Sequence, residues 1–159
     1  MKDRERFEKT LFHHVTDLRV RNYEVDWQGI VHNAVYLLYF EVGRVEYLKH
    51  IGAALDLNSV RGHSKVVLVR NEIDYLRALT FDEHLQVHTR ISSIRNSSFL
   101  MEGMMVRKGA GQIVSTNIAH HVWLDPSNNT PLRVPDTFRK LVQACEGADC
   151  SITWSVDET

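Results

Sequence analysis

The sequence predicts an α+β protein in which one antiparallel sheet wraps a single long helix. Three observations predict it. From Asn33 to about Ile51 no turn residue intervenes except Gly43, and the stretch is too long for a strand. After Gly62 the apolar period changes to two. Two tight turns, around Arg95–Ser98 and Gly109–Gly111, leave room only for antiparallel neighbours among the last strands.

The first strand runs from His14 to Arg21, with Leu18 and Val20 on one face and Asp17, Arg19 and Arg21 on the other. In the helix Leu37, Phe40, Leu48 and Ile51 share a face, and its opening turns (AVYLLYF) are apolar nearly all round, as in a helix covered on several sides. Arg44 falls on that same face, so its guanidinium needs a carboxylate, either Glu41 or an acid of another chain. Ala53 to Gly62 reads as a loop. Strands follow over Ser64–Arg77, Glu83–Ile94, Phe99–Val106 and Ile113–Leu124, giving a five-stranded sheet. In Glu83–Ile94 the inward set is Leu85, Val87, Thr89 and Ile91, with His84 and His88 toward solvent. Met101, Met105, Ala119 and Trp123, joined by His121, are expected on the second face of the last two strands, as an association surface. Beyond the DPSNNTP loop, Pro135 starts a short helix to about Glu146.

A chain of 159 residues fits one domain over 1–159, with a core at about 14–125 and a helical extension at about 135–147. A net charge of −1 speaks against a nucleic-acid partner. The charged start MKDRERFEKT lacks the apolar stretch of a secretory signal, and the run Ile30–Phe40 is too short for membrane insertion. Cys145 and Cys150 match no metal or redox spacing, so free thiols and a cytoplasmic location are expected. The nine histidines form no converging ligand set, so no metal is expected.

Chemistry concentrates in EVDWQGIVHNAVY, which places Asp26, Gly29, His32 and Asn33 just before the helix. Each has an ordinary reading: Asp26 as a turn former, Gly29 for positive φ, Asn33 as N-cap, His32 as a surface residue. Together they also offer a carboxylate beside a helix N-terminus, whose unpaired N–H groups polarise a carbonyl. A carboxylate there can attack that carbonyl or activate a water toward it, which describes acyl transfer to water. A carboxylate and a helix N-terminus suffice for such a step, so no cofactor is expected.

The run VRNYEVDWQGIVHNAVYLLYFEVGRVEYLKHIG resembles the signature of the hotdog-fold acyl-CoA thioesterases of the 4-hydroxybenzoyl-CoA thioesterase family. The matching positions are Tyr23, Asp26, Gly29, Val31–His32 leading into Asn33, Tyr36, and the helix pattern Phe40, Glu41, Arg44, Glu46 and Leu48. Downstream, EIDYLRALTFDEHLQVHTRI and RNSSF resemble the family's later strands and turn. The resemblance implies a sheet wrapped around the helix and a homodimer or homotetramer with active sites at the dimer interface. It implies Asp26 as nucleophile or general base and the Asn33 backbone N–H as carbonyl polariser, with close backbone approach at Gly29. Some members carry Tyr-His where this chain has His32 and Asn33, so His32 is displaced by one residue from that histidine and is expected as a pocket residue rather than a catalytic one. Tyr36 and Tyr75 fall where they can line the acyl pocket, aliphatic or aromatic. Arg95 resembles the position that contacts the phosphates of coenzyme A. The implied substrate is an acyl-CoA or an acyl-carrier-protein thioester. Dehydration of hydroxyacyl thioesters and non-catalytic thioester binding are the competing roles.

Overall fold

Period-two patterning puts Leu85, Val87 and Ile91 on one strand face, and in the computed structural model all three are buried against the long helix. The structure describes residues 5–53 and 65–154. Most of the expected loop between Ala53 and Gly62, and the expected strand start at Ser64, lie outside them. In chain order the elements are β1 (His14–Arg19), α1 (Asn33–His50), β2 (Lys65–Tyr75), β3 (His84–Ile94), β4 (Ser98–Arg107), β5 (Ile113–Leu124), α2 (Asp136–Glu146) and β6 (Ser151–Ile152). The sheet runs β1-β3-β4-β5-β2, with β3, β4 and β5 as the expected antiparallel meander. The α+β architecture predicted from the sequence is therefore present.

Among the described residues the sheet has six strands rather than five. Pairing of β1 with β3 ends at Thr89, which leaves the rest of that β3 edge open, and Ser151–Ile152 fills it in parallel register at Ser93–Ile94. Two residues following a helix carry no alternation that could announce them.

One side of α1 lies close on the sheet because two glycines let it. A β-carbon at Gly103 would stand 2.6 Å from Phe40 Cδ1, and one at Gly43 2.6 Å from Val87 Cγ1. Below Phe40 the same interface holds a polar bond: Arg44, buried as its position on the apolar face implies, reaches Glu41 at 2.5 Å and Asn117 Oδ1 at 3.0 Å.

Met101, Met105 and Ala119 are not an association surface. They face α1 and α2 and are completely buried, with Trp123 partly buried beside Phe138. The opposite, outer face is the one left open by the helices, and the N-terminal segment covers part of it. Phe7, Leu11 and Phe12 pack there on Met104, Val106 and Ile113. That cover also buries His88, edge-on to Phe12 at 6.2 Å, where solvent exposure was expected.

His121 likewise lies inside, stacked on Phe99 with ring centroids 4.9 Å apart. Burial, then the nearby Arg44 cation, push its imidazole down from 6.5 to about 4. The unfolded chain takes up this proton at a higher pH than the folded one does. The stability held above pH 6.5 is therefore lost as pH falls toward 4, by about 1.4 kcal/mol per unit and about 3 kcal/mol in all. Urea midpoints should fall between pH 7 and pH 5, and His121→Gln should flatten that slope. An unchanged slope would assign the effect elsewhere.

Candidate active site

Asp26 sits in a tight hairpin whose chemistry is local. Val25 pairs with Val31, the Asp26 N–H donates to the Ile30 carbonyl at 2.8 Å, and the Gly29 N–H donates to the Asp26 carbonyl at 3.0 Å. Gly29 closes the turn at φ +79°, a conformation that disfavours a side chain. A β-carbon there would meet nothing within 4 Å, so within the chain Gly29 serves the turn rather than a close approach. The Asp26 Oδ1 accepts from the Gln28 N–H at 2.8 Å, and Oδ2 bonds to no described residue. The ordinary turn role and an available carboxylate oxygen thus coexist.

The hairpin leads directly into α1. His32, not Asn33, is the N-cap: its backbone is extended (φ −59°, ψ 138°) and its Nδ1 accepts from the Ala34 N–H at 3.1 Å. The expected N-cap, Asn33, has already entered the helix as its first residue. An acceptor Nδ1 places the proton of a neutral His32 ring on Nε2. The His32 carbonyl takes the Val35 N–H at 2.9 Å, while the Asn33 N–H donates to no described residue. One unsatisfied donor therefore remains at the positive end of an 18-residue helix.

A second segment closes the site from the sheet. The Val31 N–H donates to the Leu79 carbonyl at 2.8 Å and Ile30 pairs with Thr80, which brings the end of β2 and its following loop against the hairpin. Between them lies a cavity of about 430 Å³ lined by Asp26, Asn33, Tyr36, Tyr75 and Arg77, among others. The Tyr36 and Tyr75 rings meet edge to face at 5.1 Å. The Tyr36 hydroxyl donates to the Arg77 carbonyl, and the Tyr75 hydroxyl to the Asn33 carbonyl, both at 3.1 Å. Burial raises the Tyr36 phenol above its ordinary pKa, so it stays a donor at neutral pH.

Of the residues singled out in the sequence, Asp26, Asn33, Tyr36 and Tyr75 thus share one cavity, while Gly29 and His32 are not among its lining residues and serve the turn and the helix start. Arg95 does not join them. It precedes β4, whose start pairs with the end of β5, whereas Tyr75 pairs with Ser115 near the start of β5. A single chain separates the two by most of a strand length.

Sequence reasoning missed Arg77 and Glu24. Arg77 reaches the cavity only through the Val31–Leu79 pairing, which no local pattern encodes. Glu24 accepts from the Arg21 N–H on the turn before Asp26, but arginine offers no acceptor to complete a capping box, so no Ser/Thr-x-x-Glu pattern marks Glu24 in the sequence. Among the described residues no group of three or more His, Cys, Asp or Glu is placed to hold a metal ion. No helix there is long and apolar enough to cross a membrane.

Two chloroplastic acyl-acyl carrier protein thioesterases of Arabidopsis thaliana are 30% and 33% identical to this chain, each over 79% of it. The chain spans 65% and 66% of their lengths. Among solved structures, a thioesterase of Thermus thermophilus complexed with coenzyme A and Zn is 30% identical, with a TM-score of 0.73. That likeness covers 86% of this chain and 97% of the other. The hotdog architecture is common to both. With residues 20–142 matching its family model, the chain belongs to the thioesterase-like superfamily.

Proposed function

We propose that this protein hydrolyses an acyl thioester to the free acid and a thiol. One observation carries the reading: Asp26, with an unengaged carboxylate oxygen, and Asn33, with an unengaged N–H at a helix N-terminus, line the same cavity. The N–H polarises the thioester carbonyl and holds the developing oxyanion. Asp26 then attacks that carbon directly, or takes a proton from a water that does. In the first route an acyl-aspartate anhydride forms as the thiolate leaves, and water releases it. In the second the hydroxyl of water adds and the thiolate departs. Tyr36 and Tyr75 wall the acyl group, and His32 holds the helix entry.

The substrate carrier has two candidates. Coenzyme A is supported by the Thermus relative's complex, and an acyl carrier protein by the Arabidopsis relatives. Thiol release should therefore be followed over a panel of aliphatic and aromatic acyl-CoAs and the corresponding carrier-protein thioesters. Tight binding without turnover on every member would replace hydrolysis by thioester binding. The free thiols Cys145 and Cys150 support a reducing, cytoplasmic setting.

The site is completed by a second copy. β2 is an edge strand of the sheet, and Val66, Leu68, Val69 and Tyr75 along it, with Leu76 just past its end, are exposed. A long apolar edge of this kind invites pairing with its own symmetry mate. Light scattering should give a mass of at least two chains, and Leu68→Asp should lower it toward one. A wild-type monomer at micromolar concentration would remove this part of the reading.

A further inference from the structure

Two residues upstream of Asp26, Glu24 touches both halves of the candidate site. Its backbone carbonyl accepts from the His32 N–H at 3.0 Å, at the entry to α1. Its carboxylate Oε2 accepts from the Arg21 N–H at 2.7 Å and from the Tyr39 hydroxyl at 2.5 Å. Tyr39 stands on the second turn of α1, and its ring is buried in the cluster that contains Val20, Val31 and Leu85. The bond from Tyr39 therefore ties a fixed point in the core to the segment that leads into Asp26.

The contact is well made for holding a position. Its acceptor is a carboxylate, and bonds of that kind are short and about twice as strong as neutral ones. Burial, and the Glu24 carboxylate itself, raise the Tyr39 phenol well above its ordinary pKa, so the donor is permanent at neutral pH. The remaining ties of the hairpin run to Leu79 and Thr80 on the sheet side. Val25 and Val31 of the hairpin pack on the helix through apolar contact, and among the described residues Glu24 adds the side-chain hydrogen bond to it.

We propose that Glu24 and Tyr39 form a positioning pair that sets the Asp26 carboxylate against the N-terminus of α1. The proposal rests on the thioester-hydrolysis reading above. A carboxylate and an N–H acting on one carbonyl must keep their separation, and a misplacement of about 1 Å can cost about 100-fold in rate. Neither Glu24 nor Tyr39 needs to touch the substrate for this.

Tyr39→Phe removes one oxygen and leaves the ring in the core. It should lower kcat by about tenfold or more while KM stays within about twofold, since the acyl walls are untouched. Amide hydrogen exchange over residues 26–33 should speed up, with β3 unchanged, because the loss is local. Glu24→Ala should behave alike. Glu24→Gln keeps an acceptor for the hydroxyl and should recover kcat to within about threefold of wild type. If Tyr39→Phe changes neither kcat nor exchange over 26–33, the pair does not position the site. If it lowers only the melting temperature, its role is structural and the proposal falls. Should wild-type protein release no thiol from any thioester, the hydrolysis reading fails on its own. Exchange over 26–33 in Tyr39→Phe then still decides whether this pair holds the segment.

Discussion

Asp26→Asn should lower kcat on any thioester that the wild type hydrolyses by about 10³-fold, with KM little changed. The substitution is unusually clean here. Asparagine keeps an Oδ1 that accepts from the Gln28 N–H, so the turn closed by Gly29 is preserved. What is lost is the charge and the nucleophilic second oxygen, Oδ2. Asp26 enters no ion pair among the described residues and is partly exposed, so stability should stay within about 0.5 kcal/mol of wild type. A large rate loss without a melting shift would thus report chemistry. An unchanged rate would remove Asp26 from the mechanism, whatever the substrate. Rapid quench and mass analysis of the wild type then separate the two routes: an acyl-aspartate adduct marks a nucleophile, and its absence under saturating substrate a general base.

Glu102→Ala should cost about 3–5 kcal/mol, the largest stability effect expected of a single substitution here. Glu102 is 1% exposed on the outer sheet face and accepts from Arg90 Nε at 2.9 Å, with Arg90 Nη2 at 2.7 Å. Arg6 Nε adds a charge contact at 2.8 Å to Oε1, although its N–H is not aligned for a hydrogen bond. Removing the carboxylate strands the Arg90 guanidinium beneath Phe12, with only the Asp149 and Arg6 carbonyls, at 3.4 and 3.3 Å, as partners among the described residues. For a chain of 159 residues the melting temperature should fall by about 10 °C. Glu102→Leu combined with Arg90→Met should recover most of this, because an apolar pair leaves no charge unpaired. A melting shift below about 2 °C for Glu102→Ala would show that water reaches Arg90 and relieves it.

Both predictions bear on what can be seen in sequence. Asp26 and Asn33 were visible together because a turn, a glycine and a helix start leave local marks. The N-cap was misassigned by one residue because asparagine is the commoner cap, whereas here the imidazole of His32 reaches the Ala34 N–H. Alternation in β3 placed Leu85, Val87 and Ile91 correctly, since the face toward α1 must be apolar. It misjudged His88 on the other face, because a polar residue in an alternating strand reads as solvent-facing. The segment that covers it, around Phe12, is some seventy residues away in sequence. The same limit applies to Met101, Met105 and Ala119: alternation separates two faces of β4 and β5 without saying which one the helices take.

The sequence by itself determined the order and type of the main elements, the antiparallel meander and the Asp26–Asn33 stretch. Each depends on period, turn chemistry or capping, which act between neighbours along the chain. Only the tertiary structure decided which sheet face is core, that β6 fills the open edge of β3, and that Tyr75 and Arg77 meet Asp26 around one cavity. These outcomes come from long-range pairing, above all Val31 with Leu79 and Ile30 with Thr80. Such pairing is selected by total burial and hydrogen-bond satisfaction over the whole chain, and no local window carries that sum.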